Sequence, residues 1–148
     1  INNREVVLES IRKQTALPED AFEANTFEFL QQWFDGTANF TLHTSGSTGS
    51  PKPIQVTRSQ LEASAQSTLK ALGINRGNAM VCLDTRFIAG KMMLVRSLLG
   101  GLQIHAYTPA ASIVDRMQDL EFELAAWVPM QVYEALASDH AKRLNNIG

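Results

Sequence analysis

Apolar residues recur along the chain at two spacings, and the switches between a helical and a strand-like period set out its elements. Val6, Val7, Leu8 and Ile11 form one helical stripe, and a linker containing Pro18 follows. Asn25 with Glu28 three residues later has the form of a capping box, so a second helix is expected over 26–35, carrying Phe27, Leu30, Trp33 and Phe34 and ending at Gly36. Aromatic residues at that spacing are assigned to packing. Two short alternating runs, 39–42 and 54–57, flank a glycine- and serine-rich loop and predict a hairpin. Thr57 with Gln60 then opens a helix that runs to Leu72 before Gly73, its apolar face built from Leu61, Ala65, Thr68, Leu69 and Leu72. Beyond it the pattern predicts a buried strand at 79–83, a polar break at Asp84-Thr85-Arg86 and a helix over 90–99. A strand at 102–107, a helix over 111–120, a strand at 124–128 and a helix with Pro129 in its first position complete the series.

Short buried strands alternating with helices imply an α/β fold with a mostly parallel sheet and helices on both faces. At 148 residues the chain is expected to form one domain. We divide it into a helical lead-in (1–37) and an α/β portion (38–148). Residues 142–148 give no sign of a finished C-terminal element, so the chain reads as a piece of something longer.

Charge narrows the partners. A formal net charge of −2 gives no basic field, so neither nucleic acid nor an anionic membrane surface is suggested. No run approaches the ~18 apolar residues of a membrane span, and the N-terminus lacks the apolar core of a signal peptide. The single cysteine, Cys82, has no internal disulfide partner and lies in an apolar run, which suits a buried, inert thiol in a reducing compartment. A cytoplasmic setting follows. His43, His105 and His140 show no metal-ligand spacing, and no metal-binding residues are assigned. Glu121, Glu123, Asp115 and Asp119 have no partner motif and are expected on solvated faces.

One stretch reads as chemistry, His43-Thr44-Ser45-Gly46-Ser47-Thr48-Gly49-Ser50-Pro51-Lys52-Pro53. Its two close glycines free the backbone to bring N–H groups to a ligand, while hydroxyls and one ammonium surround them. That combination suits a polyphosphate, whose oxygens accept hydrogen bonds and whose charge must be offset. The same residue types also make ordinary surface turns, so composition by itself leaves a plain loop open. It is not a Walker A loop, because the required Gly-Lys-Ser/Thr ending is replaced by Pro51-Lys52-Pro53. With proline on both sides of Lys52 no helix starts directly after the loop, so phosphate would be held by the loop itself.

The continuous segment 44–52 resembles the signature loop of the adenylate-forming superfamily, which includes acyl-CoA synthetases, luciferases and peptide-synthetase adenylation domains. Ser47 stands where many members have threonine, which keeps the hydroxyl. The resemblance implies that Thr44, Ser45, Gly46, Ser47, Thr48, Gly49 and Lys52 bind the phosphates of ATP with Mg2+, while a small-molecule carboxylate attacks the α-phosphate. Coenzyme A then captures the acyl-adenylate as co-substrate. The chain corresponds to part of the family's large N-terminal AMP-binding domain. The family's later motifs, its catalytic lysine among them, do not occur in it, so the chain alone is expected to be inactive. Arg96 to Gly101 and Trp127-Val128-Pro129-Met130-Gln131 resemble further family segments.

In 84–90, Gly90 matches a Pro-x-x-His-x-x-Gly pattern of many acyl-CoA synthetases, with Phe87 in place of the histidine. Arg86, Phe87 and Lys91 are candidate substrate residues. The run 87–96 looks most like o-succinylbenzoate-CoA ligases of menaquinone biosynthesis, whose substrate is an aromatic dicarboxylate. Other acyl-CoA synthetases and amino-acid adenylation domains share the loop, and a non-catalytic nucleotide-binding module remains a different-class alternative. A homo-oligomer is compatible with all of these.

Overall fold

A computed structural model of the chain describes residues 1–44, 52–117 and 120–147. Helices α1 (Leu8–Arg12) and α2 (Ala21–Phe34) lead into an antiparallel hairpin of β1 (Asn39–His43) and β2 (Pro53–Thr57), with His43 opposite Pro53. Then come α3 (Arg58–Leu72), β3 (Gly77–Val81), α4 (Ile88–Leu99), β4 (Leu102–Ala106), a 3₁₀ helix at Ile113–Arg116, β5 (Leu124–Ala125), α5 (Pro129–Ala137) and a second 3₁₀ helix at Ala141–Asn146.

Alternation along β3 divides the core in two. Ala79 and Val81 join Met93, Leu94 and Val95 of α4 and Leu61, Ala65 and Leu69 of α3 on one face. Met80, with Cys82 just beyond the strand, joins Tyr107, Ile113, Val114, Phe122 and Ala135 on the other. Because β3 lies between β4 and β5 and is parallel to both, it is buried on both faces, as the alternation of strands and helices implies. The hairpin is a separate small sheet, with Phe40 and Leu42 turned into the first core.

Several boundaries differ from the sequence expectation. Helix α2 starts at Ala21 rather than 26: Asp20 is the N-cap, its Oδ1 accepting from the Glu23 N–H at 2.8 Å. Asn25 lies inside the helix and donates its side-chain amide to the Ala21 carbonyl. The added turn is held by Phe22, which is buried in the main core. Among the described residues of the helix expected over 111–120, only Ile113–Arg116 are helical, as a 3₁₀ helix, with Met117 already extended. Adjacent β-branched Ile113 and Val114 disfavour an α-helix, and both are buried against β3. Strand β5 is two residues long, because Gln131 draws the following chain away: its Oε1 accepts from the Val128 N–H and its Nε2 donates to the carbonyls of Cys82 and Ala110. On α3, Leu72 is exposed.

Other expectations hold. Thr57 and Gln60 form the capping box, Gly73 takes the left-handed C-cap conformation, and Pro129 opens α5. Phe27 and Trp33 are buried, and no helix among the described residues is long and apolar enough to cross a membrane.

Candidate functional site

The hairpin presents the two ends of the 44–52 segment side by side. The Thr44 N–H donates to the Lys52 carbonyl at 3.1 Å, one step beyond the His43–Pro53 pair. Packing below fixes this stem. Phe40 lies 5.5 Å from Phe29 and 6.0 Å from Trp33, centroid to centroid, and the Arg58 guanidinium covers the Trp33 ring at 4.1 Å while donating to the Trp33 and Thr37 carbonyls. Thr44 is half-buried and Lys52 exposed. Ser45, Gly46, Ser47, Thr48 and Gly49 lie outside the described residues, so of the seven expected phosphate-binding residues the structure places the two at the stem.

The segment that leaves the carboxyl end of β3 meets this stem. His43 and Phe87 form a parallel bridge, which brings the entrance of α4 beside the start of the loop. The turn at 84–87 is built to a fixed shape. Thr85 is fully buried, its hydroxyl 2.9 Å from that of Thr26 on α2. The Phe87 N–H donates to the Asp84 carbonyl at 3.1 Å, and a Cβ on Gly90 would stand 2.5 Å from that same oxygen. Crevices at the carboxyl ends of parallel strands are the common place for ligands in α/β sheets.

Two cations flank this turn in different states. Arg86 is held by Asp84: its Nε donates to both carboxylate oxygens, at 3.1 and 2.9 Å, and its Nη2 to one of them at 2.6 Å. Burial pushes the Asp84 carboxyl up, but the hydrogen bonds and charge of Arg86 outweigh it and leave the group below the usual carboxylate range. Lys91, in the first turn of α4, is half-buried with its ammonium 5.5 Å from the centre of the Phe29 ring. Burial lowers its pKa, opposed by the charge of Glu28.

Asp84 and Thr85 were legible only as a polar break, yet one sets the Arg86 geometry and the other anchors the turn. His43 belongs to β1 through its backbone, while its side chain is exposed rather than packed. Carboxylates expected on solvated faces are partly engaged. Glu123 accepts from the Asn78 N–H, and Asp115 accepts from the Ser138 hydroxyl at 2.7 Å and lies 3.0 Å from His140 Nδ1. Asp119 lies outside the described residues. Cys82 is buried, and burial raises its thiol pKa to about 12. No cluster of His, Cys, Asp or Glu suited to a metal ion occurs among the described residues. A cavity of about 420 Å³ lies elsewhere, between residues 1–8 and β4.

No family model matches the chain, and no curated protein does. Among solved structures the chain is similar to an acyl-CoA synthetase (AMP-forming)/AMP-acid ligase II-like protein from Dyadobacter fermentans DSM 18053, at 40% identity and a TM-score of 0.80. The match covers 91% of this chain and 39% of that one, so the chain spans well under half the length of the protein it matches. Its mixed α/β fold is that of part of an AMP-forming ligase domain, and the likeness supports the superfamily that the 44–52 segment resembles.

Proposed function

We propose that this chain is part of the N-terminal AMP-binding domain of an ATP-dependent carboxylate-CoA ligase, and that the acid it activates is o-succinylbenzoate, which would place it in menaquinone biosynthesis in the cytoplasm. The observation that carries the ligase reading is the 40% identity to an AMP-forming acyl-CoA synthetase across nearly the whole chain. The 44–52 segment, set on a pinned hairpin stem, agrees with it.

In this reading the hydroxyls and backbone N–H groups of Thr44, Ser45, Gly46, Ser47, Thr48 and Gly49, with the Lys52 ammonium, hold the ATP phosphates. The residue types fit, since they supply donors and a single cation without a competing carboxylate in the segment. Magnesium bound with the nucleotide would supply further charge stabilisation for the departing pyrophosphate beside these residues. Positioning and charge stabilisation do the catalytic work, and the loop is the part of that apparatus present in this chain. The segment from Arg86 to Lys91, bridged to the loop stem through Phe87, meets the acyl substrate. The dicarboxylate preference rests on the resemblance of 87–96 and on the positive charge that this segment carries beside the loop stem.

Carboxylate-dependent exchange of labelled pyrophosphate into ATP tests the proposal, using the longest protein that the reading frame encodes and a panel of acids including o-succinylbenzoate. Exchange that requires o-succinylbenzoate is the expected result. Exchange with a different acid keeps the ligase and replaces its substrate, whereas a folded protein without exchange on any acid is a nucleotide-binding module instead.

A further inference from the structure

Of the two cations beside the loop stem, Arg86 is already neutralised. Its guanidinium makes three hydrogen bonds to both oxygens of Asp84, and the Asp84 carboxylate also accepts from the Arg86 backbone N–H at 2.9 Å. Moving it onto a substrate anion would strip a partly buried carboxylate of its partner, so the new contact would replace an equal one.

Lys91 is in the opposite condition. Among the described residues its ammonium makes no ion pair and no hydrogen bond, and it stands 5.5 Å from the centre of the Phe29 ring. Glu28, whose charge does reach it, is exposed and receives a hydrogen bond from Gln32. The first turn of α4 adds to the imbalance, having neither a side-chain cap nor an acidic residue, so Lys91 places a positive charge near the positive end of the helix. Half-buried, unpaired and at the wrong helix end, this ammonium is unfavourable in each respect, and an anion bound beside it corrects all of them.

Its place in the fold says which anion. The turn before α4 leaves the carboxyl end of β3 and is bridged to the loop stem at His43, so Lys91 lies one helical turn from that bridge. Lys52 and the loop amides already serve the phosphates in the reading above, which leaves the acyl side of the site for Lys91. We infer that Lys91, rather than Arg86, is the specificity residue that receives the second carboxylate of a dianionic acyl substrate. This rests on the ligase reading of the preceding subsection.

The test uses the full-length protein and three forms of it: wild type, Lys91→Met and Lys91→Arg. Pyrophosphate exchange is measured with o-succinylbenzoate and with benzoylpropionate, the same acid without its ring carboxylate, alongside the KM for ATP and the thermal midpoint. Lys91→Met should raise the KM for o-succinylbenzoate roughly ten- to a hundredfold, as expected for loss of a charge-assisted contact to a carboxylate. It should erase most of the preference over benzoylpropionate, leave the KM for ATP unchanged, and keep or raise the thermal midpoint. Lys91→Arg should restore part of the preference. Equal losses on both acids, a shift in the KM for ATP, or a lowered thermal midpoint with the preference intact would overturn the inference, the last by making Lys91 a packing residue on Phe29. Wild-type exchange confined to monocarboxylates would overturn it while sparing the ligase, and absence of exchange on every acid would remove both.

Discussion

The Thr44 N–H donates to the Lys52 carbonyl at 3.1 Å, so the first and last residues of the proposed phosphate loop are paired across the top of the hairpin. That pairing continues a ladder running from Asn39–Thr57 to His43–Pro53. The loop is therefore mounted on a two-stranded stem whose rigidity comes from the core beneath it. Thr44 and Lys52 are thereby held at a fixed separation, which limits the entropy that ligand binding at this stem must overcome.

Phe40 is the part of the stem that the core grips, through Phe29 and Trp33. Phe40→Ala should destabilise the chain by about 3–5 kcal/mol, the usual range for removing a buried phenyl ring. Chemical denaturation followed by circular dichroism checks this, and the loss should be accompanied by a slackened hairpin seen as faster amide exchange at Thr44.

Gly90 has no room for a side chain, since a Cβ would stand 2.5 Å from the Asp84 carbonyl oxygen, a backbone atom. Gly90→Ala should cost about 1–3 kcal/mol as the helix shifts away from the turn. The shift also disturbs the His43–Phe87 bridge, so this variant should lose activity in the full-length protein beyond what its stability accounts for. A stability-matched core variant is the comparison.

Thr57 accepts from the Gln60 N–H at 3.2 Å, and Gln60 Oε1 accepts from the Thr57 N–H at 2.9 Å, closing the start of α3. Thr57→Ala should cost about 1 kcal/mol, and Thr57→Ser should recover most of it. The site is far enough along β2 that pyrophosphate exchange at saturating substrate should be unaffected.

Burial raises the Cys82 thiol from an ordinary value of 9.0 to about 12, so the folded chain keeps a proton that the unfolded chain gives up. The resulting stability is complete below pH 9 and is lost as pH rises through about 12. Relative to Cys82→Ala, the wild type should therefore lose stability progressively over that window, measured as the difference in denaturation midpoints. Below pH 9 the thiol should resist alkylation until the chain unfolds.

Much of the architecture was written in local pattern. Thr57 with Gln60, Gly73 and Pro129 mark helix ends by chemistry confined to one turn, and each stands where its residue type says. Failures came where tertiary contacts chose between equal local options. Asp20 with Glu23 has the same spacing as Asn25 with Glu28, and only burial of Phe22 selects the earlier cap. Ile113 and Val114 lie in a helical pattern, yet two β-branched side chains packed against β3 leave a single 3₁₀ helix. At the site, the 44–52 segment was legible as a candidate, because its glycines and hydroxyls suit a phosphate and it resembles the signature loop of the adenylate-forming superfamily. Asp84 and Thr85 were not, since their roles depend on an arginine two residues on and a threonine 59 positions away in sequence.

The most direct test of the account is ATP–pyrophosphate exchange by Gly46→Val and Lys52→Ala in the full-length protein, each first shown to be folded. If 44–52 grips the ATP phosphates, both variants should lose exchange by at least about a hundredfold, as expected for removing preorganised donors from a transition state. Exchange at the wild-type rate in folded variants would contradict the assignment of that segment and return it to an ordinary surface turn.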